Sequence, residues 1–304
     1  MTVIKLLKII RAAAIAVTAR QWIPVAGVGV WAFAVFWVPL AQAAGSNTQC
    51  LDRKAADGIE RVGDGQICVV TRKFEPITTR SNAKGLIVFV QGDSRSRFEL
   101  PADRGTAFNL SEQLNASTIA LQFEDYRSNT GIAEGIEGNA AAHDERYTPS
   151  HVATLATALD KLRASNPGKK ILLIGYSGGA AMTALLASRF PASADAYLLA
   201  GCPCDVPGWR QWRDASTGKT SAWLQSLSPQ DEVGKIKAGT RMALVVGSKD
   251  DNTLAKFSEI YVASLQTQGV KTRLTYAVGA THVSVLRSPE FFMLAQELLD
   301  GLSP

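Results

Sequence analysis

Histidine is scarce in this 304-residue sequence: His143, His151 and His282 are the only three. None stands at ligand spacing from the four cysteines, so a zinc site is not expected. No repeat with a period of 20–50 residues runs through the chain, which argues against solenoids and propellers. Acidic residues are absent from the first 43 positions, which hold Lys5, Lys8, Arg11 and Arg20. Those four cations account for four of the formal net charges of +5, leaving +1 for residues 44–304. The main part of the chain is therefore nearly neutral and has no basic footprint for nucleic acid. With 46% hydrophobic and 19% charged residues it is also too apolar to be disordered.

The cationic start leads into an apolar run from Ile23 to Leu40, closed by Ala41-Gln42-Ala43. This is the layout of a secretory signal peptide over residues 1–43, with the mature chain beginning near Ala44. An uncleaved membrane anchor is the alternative, since the run is long enough to approach a span. The small-residue site and the polar Gly45-Ser46-Asn47-Thr48 favour cleavage, and with it an exported, periplasmic or secreted protein with no stable membrane association. Asn47-Thr48-Gln49 before Cys50 lacks the small and apolar residues of a lipoprotein site. All four cysteines, Cys50, Cys68, Cys202 and Cys204, lie beyond the leader, and an even count in an exported chain suggests disulfides. Pairing of Cys50 with Cys68 is favoured, and a loop of that size stabilises by roughly 3 kcal/mol in the chain-entropy model. Cys202-Pro203-Cys204 either closes on itself or holds two buried thiols.

Apolar β-branched runs alternate with stretches of helical period. The pattern predicts strands at Ile67–Thr71, Leu86–Gln91, Thr118–Phe123, Ile171–Gly175, Ala194–Ala200, Met242–Gly247 and Thr272–Val278. Helices are predicted at Thr106–Leu114, Pro149–Ala164, Gly179–Arg189, Leu254–Gln268 and Pro289–Leu302, the second capped by Thr148 with Pro149 at its first position. Continuous apolar strands separated by helices imply one α/β domain over residues 44–304, a mostly parallel sheet covered on both faces. A segment of about 202–228 is unlike the rest. It holds Trp209, Trp212 and Trp223, and forms either a substrate-facing wall or the local core of a small helical insertion.

Ile171-Leu172-Leu173-Ile174 runs into Gly175-Tyr176-Ser177-Gly178-Gly179 and then into a helical stretch. This is Gly-x-Ser-x-Gly in strand–turn–helix context, which holds a serine hydroxyl above a sheet edge at a helix N-terminus. A serine needs a base, and the base needs an orienting acid. The strand Met242–Gly247 leads to Ser248-Lys249-Asp250-Asp251-Asn252, and the strand Thr272–Val278 leads to Gly279-Ala280-Thr281-His282. Ser177, Asp250 and His282 thus form a candidate triad in that chain order. Asp251 is the competing acid, although it is better placed to cap the helix near Thr253. His143, in a polar loop, and His151, in a first helical turn, do not follow a strand as a base should.

On these residues the chain resembles the α/β-hydrolase superfamily. The stretch from Ser228-Pro229 through Val233, Gly247-Ser248-Lys249-Asp250-Asp251-Asn252, Tyr261 and Gly269 to His282 is similar to prolyl-oligopeptidase-like and dienelactone-hydrolase-like members, without their propeller. The resemblance implies that the first aspartate of the Asp-Asp-Asn run, Asp250, is the acid. It places one oxyanion donor at Gly178 and the second in the loop after the third strand, where Gln91-Gly92-Asp93-Ser94 stands. Asp93 there sets a carboxylate close to the oxyanion, so either its side chain points away or another group supplies the donor. The implied activity is hydrolysis of carboxylic esters, with no metal or organic cofactor and a small ester or short peptide as partner. A peptidase or amidase on the same triad and a non-catalytic binding protein are the alternatives.

Overall fold

The structure, a computed structural model, describes residues 59–63, 68–77, 85–93, 105–123, 147–218, 223 and 225–302, with backbone alone for 59–63, 68 and 123. The chain divides into two units, Met1–Ala43 and Ala44–Pro304, and all described residues belong to the second. The leader, its cleavage site, the Cys50–Cys68 pairing and His143 lie outside the described residues.

Among the described residues, eight strands make one sheet: β1 (Ile59–Gly63), β2 (Cys68–Phe74), β3 (Leu86–Val90), β4 (Ser117–Phe123), β5 (Ile171–Tyr176), β6 (Ala196–Ala200), β7 (Met242–Gly247) and β8 (Thr272–Ala277). Their spatial order is β1-β2-β4-β3-β5-β6-β7-β8. β1 and β2 pair antiparallel, as do β2 and β4; every other pairing is parallel. β1 was not expected, because Ile-Glu-Arg-Val-Gly is short and carries two charges.

The strand sequences explain the layers. Leu86, Val88 and Val90 of β3 face one core with Ile171, Leu173, Tyr197, Leu199 and Leu244, while Ile87 and Phe89 face the other with Leu172, Ile174, Leu198 and Val245. Side chains alternate between faces along a strand, so a continuous apolar run buries both. Helices α2 (Pro149–Ser165), α3 (Gly178–Arg189) and α5 (Ala255–Thr267) cover the first face, and α1 (Thr106–Leu114) and α6 (Pro289–Asp300) cover the second. The result is a three-layer α/β domain. Thr148 caps α2 through its hydroxyl, with Pro149 in the first turn.

The Trp-bearing segment takes the helical of its two readings: it contains α4 (Val206–Thr217), whose bounds the sequence pattern did not give. Pro207 and Gly208 make its start read as loop, but both sit in the first turn, where Asp205 accepts the Gly208 amide at 3.1 Å. Its tryptophans serve the core. Trp209 is buried, and Trp212 and Trp223 pack partly buried against the same face of the sheet. Chain direction across the sheet reverses between β3 and β5, since β4 lies on one side of β3 and β5 on the other. Such a reversal opens a crevice at the carboxyl ends of the strands.

Candidate active site

Ser177 sits in that crevice, between the end of β5 and the start of α3. Its backbone is left-handed, with φ 54° and ψ −123°, a conformation rare for a residue with a side chain and held here by its surroundings. The Ser177 amide donates to the Ala200 carbonyl at 2.8 Å, and its carbonyl accepts from the Ala180 amide at 2.8 Å. Glycine at 179 is required by packing: a Cβ there would lie 2.3 Å from the Val90 carbonyl oxygen. The helix can therefore start directly against β3, with the serine hydroxyl held at its N-terminus.

The sheet brings the two predicted partners to this hydroxyl. His282 Nε2 lies 2.9 Å from Ser177 Oγ, and His282 Nδ1 lies 2.8 Å from Asp250 Oδ2. The loops that carry them are laced together: the Ser248 amide donates to Ala277 at 3.0 Å and the Lys249 amide to Ala280 at 2.8 Å. The Asp250 side chain is fully buried and that of His282 nearly so. Burial pushes the Asp250 carboxyl up, but hydrogen bonds from His282 and the Thr253 and Asn252 amides outweigh it and hold the group below its ordinary value. It is an anion poised beside an imidazole.

Asp250 also takes the role assigned to Asp251. Its Oδ1 accepts the amides of Asn252 at 2.9 Å and Thr253 at 2.8 Å, closing the turn before α5. Asp251 is exposed, and α5 starts after Leu254 with no side-chain cap. The cap expected of Asp251 is thus supplied by its neighbour, because the carboxylate that turns inward can reach both the amides and the imidazole.

Several neighbours were not legible in the sequence. The Tyr176 hydroxyl donates to the His282 carbonyl at 3.2 Å, and its ring packs on the imidazole with centroids 5.0 Å apart. Burial, then the charge of Asp250, pushes the Tyr176 phenol well above its ordinary value, so it remains a donor. Gly201, directly after β6, has φ +56°, and a Cβ there would lie 3.1 Å from His282 Nδ1 and 3.3 Å from Asp250 Oδ2. The next residues close a disulfide, Cys202–Cys204, buried against the sheet. Trp209 Nε1 donates to the Asn252 carbonyl at 2.9 Å, and Arg213 donates to Asn252 Oδ1 at 2.6 Å, so α4 braces the loop that carries Asp250.

Asp93 follows β3 as expected, and its side chain does not point away. A Cβ on Gly178 would lie 2.3 Å from the Asp93 carboxyl carbon, so the carboxylate lies directly over the residue after the serine. Its Oδ2 accepts the Tyr147 hydroxyl at 2.5 Å. Tyr147 is buried, with φ 62°, and its ring meets the edge of Trp223 at 5.4 Å. Nothing in the sequence pairs positions 93 and 147; only the residue's place before the Thr148 cap marks it. Among the described residues, no three histidine, cysteine, aspartate or glutamate side chains cluster so as to hold a metal ion.

No protein-family model and no curated protein sequence matches the chain. Solved structures do. An esterase of Pyrococcus furiosus superposes with TM-score 0.57 at 14% identity, covering 80% of this chain and 92% of that one. A putative dienelactone hydrolase of Klebsiella pneumoniae gives TM-score 0.52 at 13% identity, over 80% and 97%. An acylaminoacyl peptidase of Pyrococcus horikoshii gives TM-score 0.55 at 14% identity, over 80% of this chain and 40% of the peptidase. The chain has the α/β-hydrolase fold that these structures share.

Proposed function

We propose that the protein is an exported serine hydrolase of carboxylic esters. The observation that carries this reading is one imidazole bonded at both nitrogens, 2.9 Å from Ser177 Oγ and 2.8 Å from Asp250 Oδ2. With Asp250 ionised, its carboxylate fixes the proton on His282 Nδ1 and leaves Nε2 to accept. Ser177 Oγ attacks the ester carbon as its proton passes to Nε2. The carbonyl oxygen, now negative, is met by the Gly178 amide at the start of α3; the Asp93 carboxylate lies over Gly178 instead of pointing away, so the second donor expected at Asp93 is supplied by another group. Collapse breaks the bond to the alkoxy oxygen, which takes the proton from Nε2 and leaves as the alcohol. Water then repeats the sequence on the acyl-enzyme, giving the acid and free Ser177. The chemistry runs on these side chains and needs no cofactor.

Export with cleavage after Ala43 rests on the basic start, the apolar run and Ala41-Gln42-Ala43; recovery of the protein in the cytoplasm would contradict export, and an intact mass retaining residues 1–43 would contradict cleavage. The substrate class is tested with p-nitrophenyl esters of rising acyl length beside aminoacyl-nitroanilides. Ester turnover well above anilide turnover is expected. The reverse order would make the protein a peptidase or amidase on the same three residues, and hydrolysis of neither would favour a binding protein.

A further inference from the structure

Thr253 lies three residues past Asp250 and is wholly buried. Its amide donates to Asp250 Oδ1 at 2.8 Å, an ordinary turn-closing bond. Its hydroxyl does something else. Oγ1 stands 3.0 Å from the Gly201 carbonyl oxygen, 3.0 Å from Asp250 Oδ2 and 3.1 Å from His282 Nδ1. One hydroxyl therefore faces the acid, the base and the backbone of the turn after β6.

A threonine hydroxyl has one proton to give and two lone pairs to accept with. Two of its three neighbours, the Gly201 carbonyl and the Asp250 carboxylate, are acceptors only, and they share that proton. The third is the nitrogen that carries a proton when Nε2 is free to take one from Ser177, so toward His282 the hydroxyl acts as acceptor. His282 Nδ1–H thus has two acceptors, Asp250 Oδ2 at 2.8 Å and Thr253 Oγ1 at 3.1 Å. An imidazole held by one carboxylate oxygen can pivot about that bond. Held by two oxygens, on residues 250 and 253, its plane is fixed.

The third contact ties the pair to the sheet. The Gly201 carbonyl is buried at the end of β6, and its neighbour, the Gly201 amide, is already bonded to Val245 at 2.9 Å. A buried carbonyl needs a donor, and the Thr253 hydroxyl is the one it meets. A Cβ on Gly201 would lie 3.1 Å from His282 Nδ1, so the turn after β6 backs closely onto the imidazole, and the buried Cys202–Cys204 disulfide follows it.

We infer that Thr253 is a positioning residue for the catalytic base, its hydroxyl orienting His282 and locking the acid–base pair to the β6 turn. This rests on the reading of Ser177, His282 and Asp250 as a triad. Thr253→Val keeps the shape and the backbone amide but removes the hydroxyl, and Thr253→Ser restores it. The Val variant is expected to lose about ten- to hundredfold in kcat, as for a hydrogen bond to a charged group, with KM nearly unchanged. The Ser variant is expected to recover most of that loss. A second readout needs no substrate: the downfield proton resonance of His282 Nδ1–H should shift in Thr253→Val and return in Thr253→Ser. Wild-type kcat with an unmoved resonance in Thr253→Val would overturn the inference, as would a loss that serine does not restore. If the wild-type protein hydrolyses neither ester nor anilide, the triad reading fails separately, and the resonance still decides the role of Thr253.

Discussion

Asp250 does two jobs with one carboxylate. Oδ1 closes the turn on two backbone amides, and Oδ2 holds the imidazole. Replacing it by asparagine keeps the shape but offers an amide that can hold the wrong imidazole tautomer, a change that costs serine proteases about four orders of magnitude in turnover. Asp250→Asn is therefore expected to retain the fold and nearly abolish ester turnover. Asp251→Ala, at an exposed side chain without a capping role, should change stability by no more than about 0.5 kcal/mol and leave turnover intact. Kinetics and melting curves of the two variants check this pair. Activity lost in Asp251→Ala and kept in Asp250→Asn would move the acid by one residue. The choice between them was legible through family resemblance, whereas the capping role read for Asp251 from its place in the chain falls to Asp250, because adjacent aspartates in a turn differ in direction and sequence does not show which turns inward.

At the scale of elements, the seven strands from β2 to β8 were legible because each, apart from the edge strand β8, buries apolar residues on both faces or pairs inside the sheet. The elbow was legible because glycines bracket a serine between a strand and a helix. The bounds of helix α4 were not, although a helical insertion was one reading of its segment, because Pro207 and Gly208 look like loop residues until Asp205 is seen to bind the first turn. The pairing of Asp93 with Tyr147 was not either, since it joins two loops 54 residues apart. The contact of α3 with β3 gives a direct test. Gly179→Ala places a methyl 2.3 Å from a backbone oxygen of β3, so helix and strand must separate. A loss of about 3 kcal/mol or more is expected on overpacking grounds, together with loss of activity. Gly234→Ala, where a methyl meets open space, is the control and should stay within about 0.5 kcal/mol. Equal melting temperatures for both variants would contradict the packing account of the elbow.

For the whole molecule, carboxylates held below their ordinary values set the acid limit, and among the described residues these are Glu75, Asp195, Glu232 and Asp250. Asp250, Asp195 and Glu232 are each raised by burial but lowered more by hydrogen bonds, from His282, from the Ile171 amide with Lys170 and Arg163, and from Arg189 and Lys235. Their folded values lie below the unfolded ones, so the stability they contribute is complete above the unfolded range, about pH 4, and lost as pH falls through the folded values. Thermal melts should therefore be level on this account above about pH 5 and decline below about pH 4. A melting temperature that rises on acidification would contradict it. The sheet, its reversal between β3 and β5, and the loops after β5, β7 and β8 all serve to bring one hydroxyl to one imidazole. The most direct measurement is mass spectrometry of the protein after reaction with a fluorophosphonate. One adduct on the peptide containing Ser177, absent in Ser177→Ala and greatly slowed in His282→Ala, is the expected result. Undiminished labelling of Ser177→Ala, or no adduct on the wild-type protein, would contradict the account.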